Sequence, residues 1–577
     1  MKISIAKRSG FCMGVRRAVD IVFEASNRYT EPIYTFGPLI HNPQVMALLG
    51  EKGISVIDSI PKEGSGIVII RAHGVPPDTV ERLEKAGFKV IDATCPRVIK
   101  VQTIIARHFA QGFASIIIGD SEHPEVVGLM GYAGDKGVVV NSLEGVKQLP
   151  VFEKAIVVAQ TTQSTALFEQ IRTWIEENHP HYKVFNTICP STRERQTETA
   201  SLAGEVDAMV VVGGYTSGNT RRLASICTES GKPVFHVETS EQLDKKSLGT
   251  FDHVGVTAGA STPDWIIKDV CRELEAAGYR SGGTFARLWF AIERMLLMTN
   301  IYLAAGAGLL CYCASLLRRG TPSLSHVLIA MLYIFSMHTL NRLTGTDEDR
   351  YNNPSRALFY NRHMKLMAVL AIGAGGAGLL IAFSLGLFPF LLLLVMSILG
   401  LSYNLYLVPE RFSSVPIRRI KDIPASKTVL ISLAWGVAVC AFPAAAEGSL
   451  NMSAIFTTGW LAGMVFVRSA FFDIMDMQGD RIVGKETLPI LIGADRTIRF
   501  LKYFLVLLFL SLLAATVFGL VSRLGYLLLT FPVISYLFLA LYEKDAVYHG
   551  LAMEFLVESQ FILVGIICLL WSFMDAA

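Results

Sequence analysis

The sequence predicts an α/β domain of three similar lobes, followed by an all-α membrane bundle of about nine helices. The 577-residue chain changes character near residue 282, because long apolar segments dominate beyond it and raise the mean hydropathy to +0.44. Before residue 282, short apolar runs alternate with helical stretches, which is typical of parallel α/β sheets. The chain is therefore expected to form two domains, residues 1–281 and 282–577.

The composition excludes several classes of protein. Lys plus Arg number 52 against 49 Asp plus Glu, and a net charge of +3 gives no reason to expect a nucleic-acid partner. The 9 cysteines lack the dense spacing of a disulfide-built secreted protein. The N-terminus has no long apolar core, so we expect no cleaved signal peptide.

Six β-like runs in residues 1–281 each end at a turn signal. They begin at Ile67, Lys89, Ala114, Ala155, Ala208 and Gly255. Helical patterns lie between them, for example over 79–87 and 167–178. Ligands of parallel sheets bind beyond the carboxyl ends of the strands, and the polar side chains considered next fall at those ends.

Three cysteines lie far apart, each in a small turn. Cys12, Cys95 and Cys189 are separated by 83 and 94 residues, which indicates one thiolate from each of three lobes meeting at one centre. Three thiolates on a four-iron cluster leave one iron open. This pattern predicts a 4Fe-4S cluster that can bind substrate. Such a cluster favours a reducing compartment, so residues 1–281 are expected to be cytoplasmic.

Three histidines, His41, His73 and His123, each follow an apolar run and together indicate an anion site. Small donors occur in three further glycine-rich positions, Ser217, Asn219 and Ser261. The segment from residue 215 opens a helix, and a helix N-terminus favours phosphate. Glu125 is a candidate proton donor, with Thr161 and Thr162 as candidate relays. Each of these features is also compatible with ordinary capping or a solvated turn.

Residues 1–281 closely resemble 4-hydroxy-3-methylbut-2-enyl diphosphate reductases. The resemblance rests on the three cysteine turns and on five further motifs in the family's order: Arg-Ala-His-Gly-Val (71–75), His-Pro-Glu-Val (123–126), Ala-Gln-Thr-Thr (159–162), Thr-Ser-Gly-Asn-Thr-Arg-Arg-Leu (216–223) and Gly-Ala-Ser-Thr-Pro-Asp (259–264). The family fold is a trefoil of three α/β lobes around the cluster. The resemblance implies the last step of the methylerythritol phosphate route to isoprenoids.

By motif, the resemblance implies a role for each candidate residue. The three cysteines would bind the cluster, and Glu125 with a threonine of the 161–162 pair would form the proton path. The diphosphate site would comprise His41, His73, His123, Ser217, Asn219 and Ser261. Gly218 departs from members that carry a second serine there, which removes one hydroxyl donor.

The family reaction removes the hydroxyl of an allylic alcohol diphosphate and gives isopentenyl and dimethylallyl diphosphate. Its two electrons come from ferredoxin or flavodoxin. An alternative makes residues 1–281 an electron-transfer module with a fourth cluster ligand. Cys227 is the nearest spare cysteine, although its apolar helical setting indicates a buried small residue.

About nine segments in residues 282–577 are long and apolar enough to cross a bilayer. They lie within 297–317, 323–340, 365–386, 387–408, 427–446, 452–472, 503–522, 524–542 and 554–574. The loops 341–365, 409–427 and 475–502 hold five Lys/Arg each, whereas 384–390 and 444–452 hold none. The positive-inside rule makes the three basic loops cytoplasmic in an integral protein of the cell membrane.

Acidic residues cluster in two of the basic loops. Asp473, Asp476 and Asp480 follow an i, i+3, i+7 spacing that predicts one helical face. Carboxylates at a membrane helix end are costly unless solvated or paired, and three on one face suit Mg²⁺ and its diphosphate partners. A solvated helix end is the alternative. The opposing loop carries Asn341 and Asp349.

These features resemble the UbiA-type intramembrane prenyltransferases over most of 285–575. The segment from Asp473 to Pro489 matches the second aspartate motif of that superfamily. The first motif departs, because Gly345 stands where an aspartate is usual and Asp347 is displaced, although Asn341 and Asp349 keep an eight-residue spacing. The basic residues after position 403 resemble a loop that grips diphosphate or acceptor: Arg418, Arg419, Lys421 and Lys427.

The resemblance implies Mg²⁺-assisted ionisation of a prenyl diphosphate and transfer of the prenyl group to an acceptor in the lipid bilayer. The whole chain is then a bifunctional isoprenoid enzyme. An alternative makes the membrane half an inactive anchor that only localises the reductase. The sequence leaves the acceptor and the chain length open.

Overall fold

The computed structural model describes residues 1–281, 283–344, 346–402, 423, 425–543 and 550–576, with backbone alone at 281, 286, 346–348, 575 and 576. The chain forms two compact units, Met1–Ser281 and Gly282–Ala577.

The first unit contains three four-stranded parallel sheets. The strands are β1 Lys2–Ile5, β2 Ile33–Phe36, β3 Ser55–Ile57, β4 Ile67–Ile70, β5 Lys89–Asp92, β6 Ala114–Ile118, β7 Gly137–Val140, β8 Ala155–Ala159, β9 Lys183–Val184, β10 Ala208–Val212, β11 Val234–Val237 and β12 His253–Ala258. Their orders are β11-β10-β12-β1, β3-β2-β4-β5 and β7-β6-β8-β9. All pairs are parallel.

The three sheets repeat one topology, which confirms the prediction of three similar α/β lobes. In each sheet the first strand of the lobe pairs with the second on one side and the third on the other, and a fourth strand closes the edge. The N-terminal strand β1 supplies that fourth strand for the lobe built by β10, β11 and β12. Strands β4, β6, β8 and β10 are buried throughout, as continuous apolar strands between helices should be.

Helices cover these sheets and begin where strands end. They are α1 Met13–Arg28, α2 Pro43–Glu51, α3 Pro77–Lys85, α4 Pro96–Phe109, α5 Pro124–Ala133, α6 Leu143–Lys147, α7 Thr165–Asn178, α8 Pro190–Glu205, α9 Gly218–Glu229, α10 Lys245–Leu248 and α11 Asp264–Ser281. Five of them open with proline in their first turn, where a missing N–H costs no helical hydrogen bond.

The second unit is helical in every described element. Its helices are α12 Thr284–Met298, α13 Ile301–Leu317, α14 Leu324–Thr344, α15 Thr346–Asn352, α16 Pro354–Arg362, α17 Met364–Leu385, α18 Leu387–Ser402, α19 Ser426–Gly436, α20 Phe442–Ala446, α21 Met452–Met475, α22 Met477–Ile482, α23 Leu488–Ile492, α24 Ala494–Val517, α25 Leu524–Leu528, α26 Thr530–Glu543 and α27 Leu551–Ala576. A π-helical turn, Val437–Ala441, joins α19 to α20.

Seven described segments are long and apolar enough to span a bilayer, and an eighth is counted if the bent pair of α12 and α13 is one span. The seven are 324–344, 364–385, 426–446, 452–475, 494–517, 524–543 and 551–574. Of the nine predicted segments, 387–408 falls short, because α18 ends at residue 402 and residues 403–408 lie outside the described part. One apolar core, which includes Leu310, Trp435, Leu461 and Phe561, holds the bundle together.

Candidate active sites

The three predicted cluster cysteines occupy equivalent places in the three lobes. Cys12, Cys95 and Cys189 each follow the edge strand of a sheet and form the N-cap of the next helix, α1, α4 or α8. The backbone N–H of each donates to a carbonyl that follows the neighbouring strand, at 3.1, 2.9 and 2.9 Å. The partial positive charge of a helix N-terminus favours thiolate, so each position suits a metal-ligating cysteine.

The structure brings these thiols towards one another. Burial raises the pKa of the Cys95 thiol, backbone N–H groups of its own helix oppose that rise, and the neighbouring Cys12 and Cys189 raise it further. Gly14 keeps the space open, because a Cβ there would lie 2.4 Å from the Cys95 sulfur. Three half-buried thiols around a glycine-lined space fit an iron–sulfur cluster held by three ligands.

Cys227 does not extend this set. Its side chain is fully buried on α9 among apolar residues such as Leu202, Met209 and Leu223. Burial raises its pKa to about 12, which opposes the thiolate that a metal needs. The placement agrees with a packing residue and gives the electron-transfer alternative no fourth ligand at this position.

The three half-buried histidines form one cluster. The ring centroids of His41 and His73 lie 4.8 Å apart, and those of His123 lie 5.7 Å from His41 and 5.3 Å from His73. His41 Nε2 and His73 Nδ1 are buried and have no hydrogen-bond partner in the described structure. Unpaired buried polar atoms are costly, so these nitrogens indicate a place for a bound polar group.

Burial lowers the pKa of all three imidazoles. Nearby positive charge acts in the same direction, with Arg71 contributing at each ring, and the pKa of His123 falls to about 4. His123 Nδ1 accepts the Glu125 N–H at 3.2 Å, so a neutral ring carries its proton on Nε2. His123 therefore presents a donor to the pocket, which suits an anion better than a metal ion.

The three smaller donors lie in two turns of the same unit, Ser217 and Asn219 after β10 and Ser261 after β12. Ser217 caps α9 and accepts the Thr220 N–H at 3.4 Å, and Ser261 donates to the His41 carbonyl at 3.0 Å. Asn219 is 5% exposed, and neither polar atom of its amide has a partner among the described residues. Its two unsatisfied groups therefore match a ligand rather than the fold.

Glu125 joins the histidine cluster to a cysteine turn. It is 1% exposed, and it accepts the Thr161 N–H at 2.7 Å and the Thr161 hydroxyl at 2.8 Å. The Thr161 carbonyl in turn accepts the Cys189 N–H. Burial raises the pKa of Glu125 to about 7, against the two Thr161 hydrogen bonds. Thr162 instead accepts from Gln160 at 2.9 Å, so Thr161 is the threonine that contacts the acid.

The sequence reasoning missed three arginines in this unit. Arg71 and Arg221 carry the positive charge that acts on the histidine pocket. Arg195, only 3% exposed, donates to the carbonyls of Ala258 at 2.7 Å and Gly10 at 2.9 Å; burial lowers its pKa, and the nearby Cys12 and Cys189 oppose that lowering. Arg71 and Arg221 lie inside two of the motifs that carry the family resemblance, and their position there could have indicated a role in the site. No sequence pattern indicated a role for Arg195, because its hydrogen-bond partners, Ala258 and Gly10, are remote in sequence.

The membrane unit contains a cavity of about 620 Å³. Its wall is mainly apolar, and charged side chains from several helices line part of it. The polar lining includes Asn300, Asn341, Asp349, Arg356, Lys427, Arg468, Asp473, Asp476, Glu554 and Glu558. A mainly apolar chamber with charged side chains in its lining fits a lipid-like chain that carries an anionic head.

The three aspartates of the second motif do not share one helical face, contrary to the prediction. Helix α21 ends at Met475, Asp476 is its C-cap with φ −97° and ψ 4°, and α22 starts one residue later. Asp473 and Asp476 line the cavity. Asp473 accepts from the Thr428 hydroxyl and lies 3.7 Å from the Lys427 ammonium.

Asp480 lies behind the cavity wall. It is fully buried and accepts from the Asn352 amide at 3.0 Å, and its other oxygen has no partner in the described part of the chain. Burial raises its pKa to about 6. From the first motif, Asn341 and Asp349 both line the cavity, and Asp349 pairs with Arg342 at 3.3 Å.

Four predicted features lie outside the described residues: Gly345, Arg418, Arg419 and Lys421. Two ion pairs in the cavity wall were missed. Glu554 pairs with Arg356 at 2.6 Å, and Glu558 pairs with Arg468. The spacing of four between the glutamates on an apolar helix was the signal, since buried charges in membrane helices are usually paired or functional.

The first unit combines three α/β lobes, a cysteine at the N-cap of one helix in each lobe, a cluster of half-buried histidines and an acid of raised pKa, which is compatible with the oxidoreductase class. Its residues 3–275 match the family described as LytB protein, and residues 295–566 match the UbiA prenyltransferase family. The chain belongs to the family of 4-hydroxy-3-methylbut-2-enyl diphosphate reductases, with a UbiA prenyltransferase domain fused to the reductase domain.

Two relatives show the extent of this match. The 4-hydroxy-3-methylbut-2-enyl diphosphate reductase of Alkaliphilus oremlandii is 43% identical over 273 residues, covering 47% of this chain and 98% of that protein. The enzyme of the same name from Trichlorobacter lovleyi is 44% identical over 275 residues, covering 48% and 98%.

Solved structures are similar to each half. A (E)-4-hydroxy-3-methyl-but-2-enyl diphosphate reductase is 42% identical, with a TM-score of 0.39, and covers 48% of this chain and 99% of its own. A UbiA homologue from Archaeoglobus fulgidus, solved with GPP and Mg²⁺, is 16% identical, with a TM-score of 0.33, and covers 48% and 97%.

Proposed function

We propose that residues 1–281 reduce 4-hydroxy-3-methylbut-2-enyl diphosphate to isopentenyl and dimethylallyl diphosphate. The observation that carries this proposal is the position of Glu125. Its backbone N–H donates to His123 of the donor pocket, and its carboxylate accepts from Thr161, whose carbonyl accepts the Cys189 N–H. Reductive removal of the substrate hydroxyl as water requires a proton donor, and Glu125 lies between the anion pocket and the thiols.

The donor pocket binds the diphosphate. Imidazole N–H groups, the Asn219 amide and the Ser217 hydroxyl can donate to phosphate oxygens, and the Ser261 hydroxyl can do so by turning away from the His41 carbonyl. The nearby arginines supply positive charge. Binding the diphosphate at one end fixes where the hydroxyl end of the substrate lies. Gly218 stands at a helix N-terminus, where backbone N–H groups can replace the missing serine.

A 4Fe-4S cluster held by Cys12, Cys95 and Cys189 would supply electrons and a Lewis-acidic iron. Glu125, poised near neutral pH, gives the proton with which the hydroxyl leaves as water. Thr161 orients the carboxyl and stabilises the carboxylate that remains. The balance is two electrons and two protons in, the C–O bond broken, and the second proton placed on the carbon chain. Ferredoxin or flavodoxin is the proposed source of the electrons.

The test is turnover by the anaerobically reconstituted full chain with a chemical reductant. We expect Glu125→Gln to lose more than about 100-fold in kcat, the usual contribution of a general acid. Glu122→Gln, which changes an exposed carboxylate three residues earlier, is the matched control and should keep full activity. Equal activity of the two variants would contradict the proposed proton donor.

We propose that the membrane unit transfers a prenyl group from a prenyl diphosphate to a lipid-soluble acceptor. The cavity supports this proposal, because Asp349, Asp473 and Asp476 all line one mainly apolar chamber. Carboxylate oxygens suit Mg²⁺, which would screen the diphosphate and assist its departure. Lys427 and Arg468 can bind phosphate oxygens, and the apolar wall keeps water from the prenyl cation.

Diphosphate release by the full chain tests this activity. The assay contains Mg²⁺, farnesyl or longer diphosphates and lipid-quinone precursors. We expect Asp476→Ala to abolish release, while Asp495→Ala, which changes an exposed aspartate on α24, leaves it unchanged. If Asp476→Ala does not reduce release, the membrane unit is an anchor.

We further propose that the protein is integral to the cell membrane, with residues 1–281 and the three basic loops in the cytoplasm. The proposal rests on the positive-inside distribution and on the apolar helices. Protease digestion of sealed, inside-out vesicles should degrade the reductase unit, and protection of that unit would contradict the assignment.

A further inference from the structure

Helix α12 is joined to the bundle at a sharp bend and packs against α27, where the Trp289 and Phe555 rings lie 6.5 Å apart. Helix α12 meets α13 at 71°, and the two are separated by Thr299 and Asn300. Asn300 adopts a left-handed conformation with φ 59°, which asparagine tolerates better than most residues. Its buried amide donates to the Tyr360 hydroxyl at 2.9 Å and to the Thr339 hydroxyl at 3.3 Å. These bonds hold the bend in place.

The dimensions of α12 oppose a second crossing of the bilayer. A helix of 15 residues is about 22 Å long, shorter than the hydrocarbon core of about 30 Å. At 71° to α13 it advances only about 7 Å along the axis of that helix. If α13 crosses the bilayer near its normal, α12 lies close to the membrane plane.

The two sides of α12 differ in chemistry. Five large apolar side chains at i, i+3, i+4, i+7 and i+10 are exposed: Phe285 80%, Leu288 58%, Trp289 49%, Ile292 39% and Met295 54%. Arg287 and Arg294 lie on the opposite side of the helix, given 3.6 residues per turn. Glu293 and Leu297 are buried. An apolar face opposed by arginines is the pattern of a helix that lies in a membrane interface.

We propose that α12 binds the surface of the bilayer that α13 crosses, with its exposed apolar face among the lipid acyl chains. Lipid is the occupant because α12 leads directly into α13, the other half of the bent apolar pair, and because Trp289 belongs to the residues enriched at the membrane interface. The arginines on the other side are placed for water and lipid phosphate. The proposal does not depend on prenyl transfer.

This interface lies on the same side of the membrane as the aspartates. Leu297 of α12 and Asn300 of the bend line the cavity together with Asp349, Asp473 and Asp476. The surface helix is therefore next to the cavity that these aspartates line, at the level where an amphipathic lipid would carry its headgroup.

Thiol labelling of the holoenzyme tests the proposal in open membrane sheets. Six native cysteines are fully buried, and the other three are the proposed cluster ligands, so an added cysteine reacts selectively with a charged maleimide. Arg287→Cys should react at least ten times faster than Leu288→Cys and Ile292→Cys. Val151→Cys, at an exposed site of the first unit, gives the rate in water, and Leu507→Cys on α24 gives the rate in lipid.

Two results would overturn the proposal. Leu288→Cys reacting like Val151→Cys would mean that water reaches the apolar face, and Arg287→Cys reacting like Leu507→Cys would mean that α12 is embedded as a span. If the cysteine variants do not assemble, Trp289 gives a second readout. Lipids brominated near the headgroup should quench fluorescence that Trp289→Phe removes, and quenching that this substitution leaves unchanged also overturns the proposal.

Discussion

Replacing Thr161 by valine removes one hydrogen bond from Glu125 and little else. Valine has the shape of threonine, and the Thr161 backbone N–H still donates to the carboxylate at 2.7 Å. The lost bond is the one from the hydroxyl at 2.8 Å, which favours the charged form of Glu125 and so lowers its pKa. Its removal must therefore raise the pKa from its present value of about 7.

The size of the shift follows from the strength of the bond. A hydrogen bond to a charged group contributes about 1.5–3 kcal/mol, and one pKa unit corresponds to about 1.4 kcal/mol. The pKa of Glu125 should rise by about 1–2 units. Because the proposed donor must be protonated, activity falls as pH rises through this pKa, and the valine variant should keep its activity to higher pH.

The assay is the pH dependence of kcat/KM, which reports the ionisation of the free enzyme. Thr161→Ser retains the hydroxyl and is the matched control, with an alkaline limb at the position of the native enzyme. An alkaline limb that stays in place, or moves to lower pH, in Thr161→Val would refute the link between this hydroxyl and the acid.

Three further predictions concern the donor pocket and the membrane unit. The negative charge of bound diphosphate should raise the lowered pKa values of the three pocket histidines, so binding at pH 7 should be accompanied by proton uptake. Calorimetry in buffers of different ionisation enthalpy measures this uptake. Proton release on binding would contradict the prediction. Gly218→Ser should lower KM about 2–10-fold, because a Cβ at this position meets only His123, at 3.9 Å, and the serine hydroxyl adds a hydrogen-bond donor. Gly218→Ala is the control and should leave KM unchanged. A higher KM for the serine variant would count against the proposed diphosphate pocket. Gly479→Ala should destabilise the membrane unit by about 1–3 kcal/mol, because its Cβ would lie 1.9 Å from the Asn352 amide oxygen. Gly459→Ala is the control, because a Cβ at that position meets no atom within 4 Å. Equal denaturation midpoints for the two variants would refute the predicted clash.

The repeated lobes could be predicted from sequence because the inner strands are continuous apolar runs. All six predicted runs are strands, including β4, β8 and β10. None of the six missed strands is buried along its whole length. Strand β9 has two residues and β3 has three, two of which are exposed, so neither carries a periodic signal above its surroundings.

The candidate sites were accessible to sequence reasoning only as sets of residues. Motifs gave the cysteines and histidines, but the choice of Thr161 over Thr162 depends on which hydroxyl reaches Glu125. The spacing of the second aspartate motif fits a continuous helix, yet helix α21 ends at Met475 and Asp476 is its C-cap. That break is a tertiary outcome, because the segment beyond it places Asp480 against Asn352.

Mössbauer spectroscopy of the anaerobically reconstituted full chain, recorded with and without 4-hydroxy-3-methylbut-2-enyl diphosphate, tests the central claim most directly. Three protein thiols on a four-iron cluster should leave one distinct iron, and its signal alone should change when the substrate is added. Four equivalent iron signals that do not change when the substrate is added would show that all four irons are held by the protein, and would contradict the proposed reductase site.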